Sequence, residues 1–260
     1  MEPTSKTAHD LEWPELIGHL ADRCQSTQGH ARALALTPAV TLDDARERMR
    51  RTDEALRLAR AGDAIPLNNL PEAVTDVLSR LAREADVTSH DLHALREMLK
   101  TAHTLRRFGQ ARRATYPSVA AVLVSDAGLD KLLGVLDHAL DPDGTLSDRA
   151  SVDLATARRK VHEMRARVVQ RLDEAIARYA EVLQDRYYTL RDGRYVLPVR
   201  SDAHIRVPGI VHGSSSSGAT LFIEPRTVMQ LGNQLRVLVA DVEREEARVL
   251  AELSVRARDD

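Results

Sequence analysis

The 260 residues carry 37 lysines and arginines against 39 aspartates and glutamates, a formal net charge of -2. That near balance excludes a global positive field, so any hold on a polyanion must come from local patches. Cys24 is the only cysteine, which excludes an intrachain disulfide and a zinc site built from several thiolates.

Aromatics make up 3% of the chain, while alanine, leucine, arginine and glutamate dominate, a mixture that suits long helices. The length allows one or two domains. The sequence shows no signal peptide and no apolar run that could span a bilayer, so a cytoplasmic protein without a membrane partner is expected.

Residues 1–10 read as a loose terminus. Leu11 to Cys24 carries Leu11, Leu16, Ile17, Leu20 and Cys24 near helical spacing. Trp13 reads there as a packing anchor and Cys24 as a small buried hydrophobe on the same helix. Thr27 to Leu36 reads as a second short helix, stopped by Thr37-Pro38. Thr41, with Asp44 three positions on, is the expected cap of a helix running to about Arg60 and ended by Gly62. Ile65 to Leu70 reads as a loop, with Asn68-Asn69 before Pro71. Pro71 fits the first turn of a helix running to about Glu84.

Thr88 to Asp91 opens a helix that continues to Phe108 or beyond. Lys100, Arg106, Arg107, Arg112 and Arg113 cluster towards its end, read as a solvated helix end whose cations suit the helix dipole. Val119 to Val124 and Gly128 to Leu140 are expected as short helices after the break at Tyr116-Pro117. Asp141-Pro142-Asp143-Gly144 is a turn.

From Asp148 the texture changes. Val161, Met164, Val168, Leu172, Ala175, Tyr179 and Val182 recur in steps of three and four, with no glycine or proline before Gly193. This predicts a helix of about 35 residues and about 50 Å. The same rhythm returns at Val228, Leu231, Leu235, Leu238 and Val242, a heptad seam resumed at Val249 and Leu253 after Glu245. Two such segments joined by a short insert are expected to pair antiparallel. Helical rhythm persists through Ser254 to Asp260 without a capping residue, so the helix is expected to run on in a longer parent protein.

The insert between them is β-like. Tyr187 to Leu190, the turn Asp192-Gly193, and Arg194 to Arg200 predict a hairpin. Pro198 argues that its second strand is an edge or is bulged there. Ile205 to Pro208, Gly209 to His212 and Ala219 to Ile223 supply further strand pieces. Gly213 to Thr220, GSSSSGAT, has the spacing of a phosphate-binding P-loop, but Ala219 stands where the lysine belongs and a strand follows instead of a helix. It therefore reads as a turn. His212 has no cysteine, histidine or carboxylate at metal spacing, so a structural or surface role is expected. Glu224-Pro225 reads as a cap on the returning helix. The serine run lacks the partnered base a nucleophile needs.

Arg186, Arg191, Arg194, Arg200 and Arg206 outnumber Asp192 and Asp202 here, making the insert locally basic. Arginine suits bidentate phosphate contact. These five, with the hydroxyls of Ser214, Ser215, Ser216 and Ser217 at the turn, are the candidate contacts to a nucleic-acid backbone.

RYVLPVR, then GIVHGSSSSGATLFIEP, the Asn233-Gln234-Leu235 triplet and the acidic run Glu243 to Glu246 resemble the second bacterial subfamily of MutS proteins. LEWPELIGHLADRCQSTQGHARALALTP and DGTLSDRASVDLATARRKV add to the likeness, which covers about Leu11 to Ser254. Where that pattern has aspartate after the histidine, this chain has Gly213. The resemblance implies a mainly α protein: a helical core (1–147), an ascending lever helix (148–186), a β clamp at the lever tip (187–225) and a returning lever helix (226–260). It implies homodimers whose full-length members add an ABC-type ATPase domain, with ATP and Mg, and usually an Smr nuclease domain. Their associated roles are binding branched DNA to suppress recombination, or engaging rRNA and protein on collided ribosomes. No GxxxxGK[ST] occurs in the 260 residues, so this stretch is expected to be non-catalytic and cofactor-free.

Overall fold

The computed structural model describes residues 9–24, 26–67, 74–85 and 87–259. It is mainly α, with one small antiparallel sheet. It divides into two compact units, residues 1–147 with 250–260, and residues 148–249.

In the first unit, α1 (Trp13–Ala21) and α2 (Thr27–Leu34) form a helical hairpin. Ser26 caps α2 by accepting from the Gly29 N–H at 3.0 Å. Cys24 lies beyond the end of α1 and is half-buried, so it is not the buried helical residue expected. Trp13 is also half-buried, anchored by its indole N–H donating to the Leu36 carbonyl at 3.2 Å. α3 (Leu42–Arg60) starts where expected, Thr41 Oγ1 accepting from the Asp44 N–H at 3.1 Å, and stops before Gly62, whose φ of 76° favours glycine.

α4 (Val74–Ala82) buries Val74, Val77 and Leu81; the expected Asn68-Asn69 turn and Pro71 start lie outside the described residues. α5 (Ser89–Arg112) opens on a reciprocal capping box, Thr88 Oγ1 accepting from the Asp91 N–H and Asp91 Oδ2 accepting from the Thr88 N–H. It packs on α4, on α6 (Pro117–Ala120) and on α7 (Leu129–Ala139), burying Leu92, Leu95 and Leu99 with Leu132 and Leu136.

The expected helix over Val119–Val124 is instead α6, one turn ending at Ala120. Its start is fixed from a distance. Glu54 of α3, buried, accepts from the Val119 N–H at 2.9 Å and satisfies a donor no helical carbonyl can reach. After α7, Gly144 (φ 86°) completes the expected turn and Leu140 bridges to Leu146.

The second unit begins at α8 (Val152–Arg178), capped by Ser151, whose Oγ accepts from the N–H groups of Asp153 and Leu154. At 27 residues α8 is shorter than the periodicity predicts. The reason is tertiary. Beyond Tyr179 the chain leaves the helix so that Gln184 N donates to Pro198 O (2.9 Å) and Arg200 N to Val182 O (3.0 Å). Val182 and Leu183 thereby continue the apolar rhythm as core residues without being helical.

The sheet has strand order β1-β2-β4-β3, from β1 (Thr189–Arg191), β2 (Arg194–Arg200), β3 (Gly209–Ser214) and β4 (Thr220–Pro225). Asp192 (φ 50°) and Gly193 (φ 72°) both take the left-handed conformation a tight two-residue hairpin requires. β2 is a central strand, not an edge, yet Pro198 is accommodated. β1 has already ended at Thr189, opposite Val196, and the Pro198 carbonyl faces the Gln184 side. Its missing N–H therefore lies on the side away from β4, at the end of the short Leu183–Val199 bridge, so the β2–β4 ladder loses no bond. Ile205–Pro208 is not a strand: Ser201–Arg206 forms a 3-10 turn that tucks Ala203 and Val207 into the core.

α9 (Arg226–Asp259) follows β4 directly. It runs antiparallel to α8: Arg158 pairs with Glu246 at 2.7 Å near one end, while Val168 and Leu172 share a core with Val228 and Leu235 near the other. That core also contains Leu197, Val199 and Ile223, so the sheet packs on the last turns of α8 and the first turns of α9. Val228 and Leu235 of the heptad seam are buried, while Leu231, Leu238 and Val242 are half-buried. Among the described residues, no helix is long and apolar enough to cross a membrane.

Candidate nucleic-acid interface

Alternation along β2 sorts the sheet's residues. Tyr195, Leu197 and Val199 point into the helix-packed core, and Arg194, Val196, Pro198 and Arg200 to the other face. The ladder puts Phe222 opposite Pro198, and Arg191 opposite Arg194. Three of the five candidate arginines thus share that second face, although they do not share an environment.

Arg194 is engaged internally. Its Nη1 donates to Asn233 Oδ1 of α9 at 2.6 Å and lies 3.4 Å from Glu224 Oε1. The Glu224 side chain is 2% exposed and its other oxygen meets His212 Nε2 at 2.8 Å. Glu224 is therefore not the helix cap expected, and His212 does have a carboxylate neighbour. The cause is β pairing. Glu224 lies opposite Ile210, which makes His212 its diagonal neighbour, and a bulge between Val211 and Ser214 turns that stretch. Gly213 sits in the bulge at φ 141°, a conformation open mainly to glycine. Two residues in sequence register across a hairpin are a legible signal once the bulge is known, and the bulge is not.

Arg191 is exposed, its guanidinium 3.9 Å from the Phe222 ring centroid. That stacking orders the side chain while leaving its N–H edges open. Arg200 lies 3.5 Å from Asp202 and Arg206 3.6 Å from Glu181, the two acids being 75% and 87% exposed. Such exposed pairs are worth little and exchange readily for another anion. Arg186 is exposed and makes no ion pair among the described residues.

The serine run is partly spent on the turn itself. Ser215 Oγ accepts from the Thr220 N–H at 3.1 Å and lies 3.3 Å from Ser217 Oγ, and Gly218 N donates to Ser215 O. Ser214 ends β3, and Ser216 is exposed at the apex. The loop leads into β4, so no helix N-terminus faces it, as the P-loop rejection requires.

The basic cluster late in α5 is only in part a solvated helix end: Arg107 and Arg113 are exposed, while the other three cations are engaged. Arg106 is buried against Asp130 and donates to the Asp126 carbonyl at 3.0 Å. Arg112 grips Asp63 with two bonds of 2.6 and 2.7 Å and lies over Phe108. Lys100 sits between Glu97 and Asp137. Hydrogen bonds from His103 and then Arg106 hold the Asp130 carboxyl below its ordinary pKa, and the Arg112 hydrogen bond does the same for Asp63. Among the described residues, no group of three His, Cys, Asp or Glu side chains could hold a metal ion.

No protein-family model matches the chain. Curated relatives do. It is 37% identical over 257 residues to Endonuclease MutS2 of Anaeromyxobacter sp. (strain Fw109-5), covering 96% of this chain and 31% of that protein. The proteins of the same name from Thermomicrobium roseum and Thermus thermophilus are 34% and 35% identical, again over 96% of this chain and each over 32% of the relative. This chain belongs to the MutS2 family. It spans about a third of the length of the MutS2 relatives it matches. That stretch holds both units described above, including the sheet with its exposed arginines and the buried Arg194–Glu224–His212 network.

Proposed function

We propose that this stretch of a MutS2-type protein is the non-catalytic part that grips a nucleic-acid backbone, with homodimerisation in the full-length protein. The cutting named in the relatives belongs, on this reading, to parts of their length that this chain does not span. The observation that carries it is the contrast among the sheet's arginines. Arg194 is committed inward, while Arg186, Arg191, Arg200 and Arg206 stand exposed around a rigid sheet with at most weak, screened partners. Guanidinium groups held that way suit phosphate oxygens. The exposed apex hydroxyl of Ser216 adds a neutral donor, and nothing in the sheet resembles a base-reading element.

Binding should therefore be independent of sequence and steeply weakened by salt. Branched DNA, in a protein that suppresses recombination, is the ligand we favour; ribosomal RNA on collided ribosomes is the competing reading. An electrophoretic titration with branched DNA at two salt concentrations tests this, with duplex RNA as competitor. Loss of most binding on replacing Arg191 and Arg200 together by alanine is the expected result. No binding at low salt, or binding indifferent to that double change, would overturn the proposal; preferential displacement by RNA would replace DNA as the ligand.

A further inference from the structure

Helix α8 carries a feature that the sheet does not explain. Lys160, Arg167, Arg171 and Arg178 follow one another at intervals of seven, four and seven residues on an unbroken helix. At 3.6 residues per turn they fall within about 40° of one another, and they span about 27 Å along the axis. The residues α8 packs inward, Val161, Met164, Val168, Leu172 and Ala175, centre about 80° further round. All four cations are exposed.

Their compensation is thin. Arg171 pairs with Glu174 at 2.6 Å, and Arg178 lies 5.6 Å from the Tyr179 ring centroid. Lys160 and Arg167 make no ion pair among the described residues. The nearby Glu163 is 4.0 Å from Arg159 instead. The other long charged helix offers no such line, since the arginines of α9 are interspersed with Asp241, Glu243, Glu245, Glu246 and Glu252.

We propose that Lys160, Arg167, Arg171 and Arg178 form a second line of contact, along which α8 tracks the phosphodiester backbone of a nucleic-acid duplex. Three of the four are arginines, whose planar fork matches phosphate oxygens. The phosphates of each duplex strand recur about every 3.4 Å of duplex axis, so a line of about 27 Å passes several, and four cations can each find one without a fixed register. Such contacts position the duplex without reading its sequence. The inference rests on the nucleic-acid reading given above and extends it from the sheet to the helix that supports it.

The test compares four forms of the intact chain: unaltered, Lys160→Gln with Arg167→Gln, Arg191→Ala with Arg200→Ala, and Arg46→Gln with Arg50→Gln. The last removes the same charge from exposed arginines of α3. Circular dichroism checks that each is folded, and binding to a DNA duplex and an RNA duplex is titrated across a fourfold range of salt. Each lost phosphate contact lowers the slope of log affinity against log salt by about 0.9, so losing both α8 contacts makes the fourfold step about tenfold less damaging. That result for the α8 variant, with the α3 variant unchanged, supports the line; the arm in which it occurs says whether DNA, RNA or both are tracked. An unchanged slope for the α8 variant, while the sheet variant loses slope, refutes the α8 line and leaves the gripping function standing. An equal loss in the α3 variant also refutes it. If the unaltered chain binds neither duplex at low salt, the function falls and the inference with it.

Discussion

Removing Glu224 should weaken the second unit. Its side chain is 2% exposed, yet its two oxygens meet Arg194 and His212. Removing one partner of a buried charged group typically costs about 3–5 kcal/mol, because the other is left without an acceptor. Arg194 and His212 keep 23% and 21% side-chain exposure, and Arg194 retains Asn233. Water can reach both, so we expect Glu224→Ala to cost about 2–3 kcal/mol. Glu224→Gln keeps one oxygen as an acceptor and should cost about 1–2 kcal/mol. The lone tryptophan, Trp13, lies in the first unit and does not report on this change. Tyr188 and Tyr195 do, packed edge to face with centroids 5.9 Å apart, so the urea melt should be followed by near-ultraviolet circular dichroism. With a typical urea slope, the midpoint for Glu224→Ala should fall by about 1–2 M. A midpoint within about 0.3 M of the parent would refute the account of Glu224 as the buried hub that ties β3 and β2 to α9.

Other perturbations follow from the same packing. Gly209→Ala should unfold or distort the β3–β4 ladder at a cost of about 3 kcal/mol, since its Cβ would lie 2.1 Å from the Glu224 carbonyl oxygen; a melt unchanged from the parent would contradict this. By contrast Gly134→Ala, in mid-helix α7 with nothing within 4 Å of the added Cβ, should stabilise the first unit by about 0.5–1 kcal/mol, read from Trp13 fluorescence. Thr88→Ala removes the cap of α5 and should cost about 1 kcal/mol by the same assay. On acidification the first unit should weaken in two stages. His93 has its pKa lowered by burial and then by Arg96, so its contribution is complete above its ordinary 6.5 and is gone once pH has fallen through the lower folded value. Burial acts to raise the pKa of Asp91, but hydrogen bonds from Arg80 and Thr88 outweigh it, and Asp63 and Asp130 are also lowered. Their stabilisation is present above the ordinary 3.8 and disappears as pH falls through the depressed folded values. A stability curve flat from pH 7 down to pH 3 would contradict both assignments.

Local rules along the chain were enough for much of this protein. Thr41, Thr88 and Gly62 mark helix ends because their chemistry satisfies backbone groups within a few residues. Asp192-Gly193 marks the hairpin because both positions need positive φ. The three-and-four rhythm that runs through Val228, Leu231, Leu235, Leu238 and Val242 names the inward stripe of α9, buried at Val228 and Leu235, because a helix repeats every 3.6 residues. What periodicity leaves open is the state of a chain whose apolar rhythm continues after the helix has ended. Val182 and Leu183 keep the spacing, but the backbone beside β2 offers hydrogen bonds that no local rule foresees.

The charges show the same division more sharply. Composition placed a surplus of arginine in the insert, but only the tertiary structure separated Arg194, held by Asn233 and Glu224, from Arg191 and Arg200, which face solvent. It likewise withdrew Arg106 and Arg112 from the surface by giving them Asp130 and Asp63, residues 24 and 49 positions away in sequence. A charge's partner is fixed by which segments fold together, and the energy of the pair depends on how much water that folding removes. Secondary structure is written in short-range spacing; the availability of a cation for a ligand is decided by long-range burial.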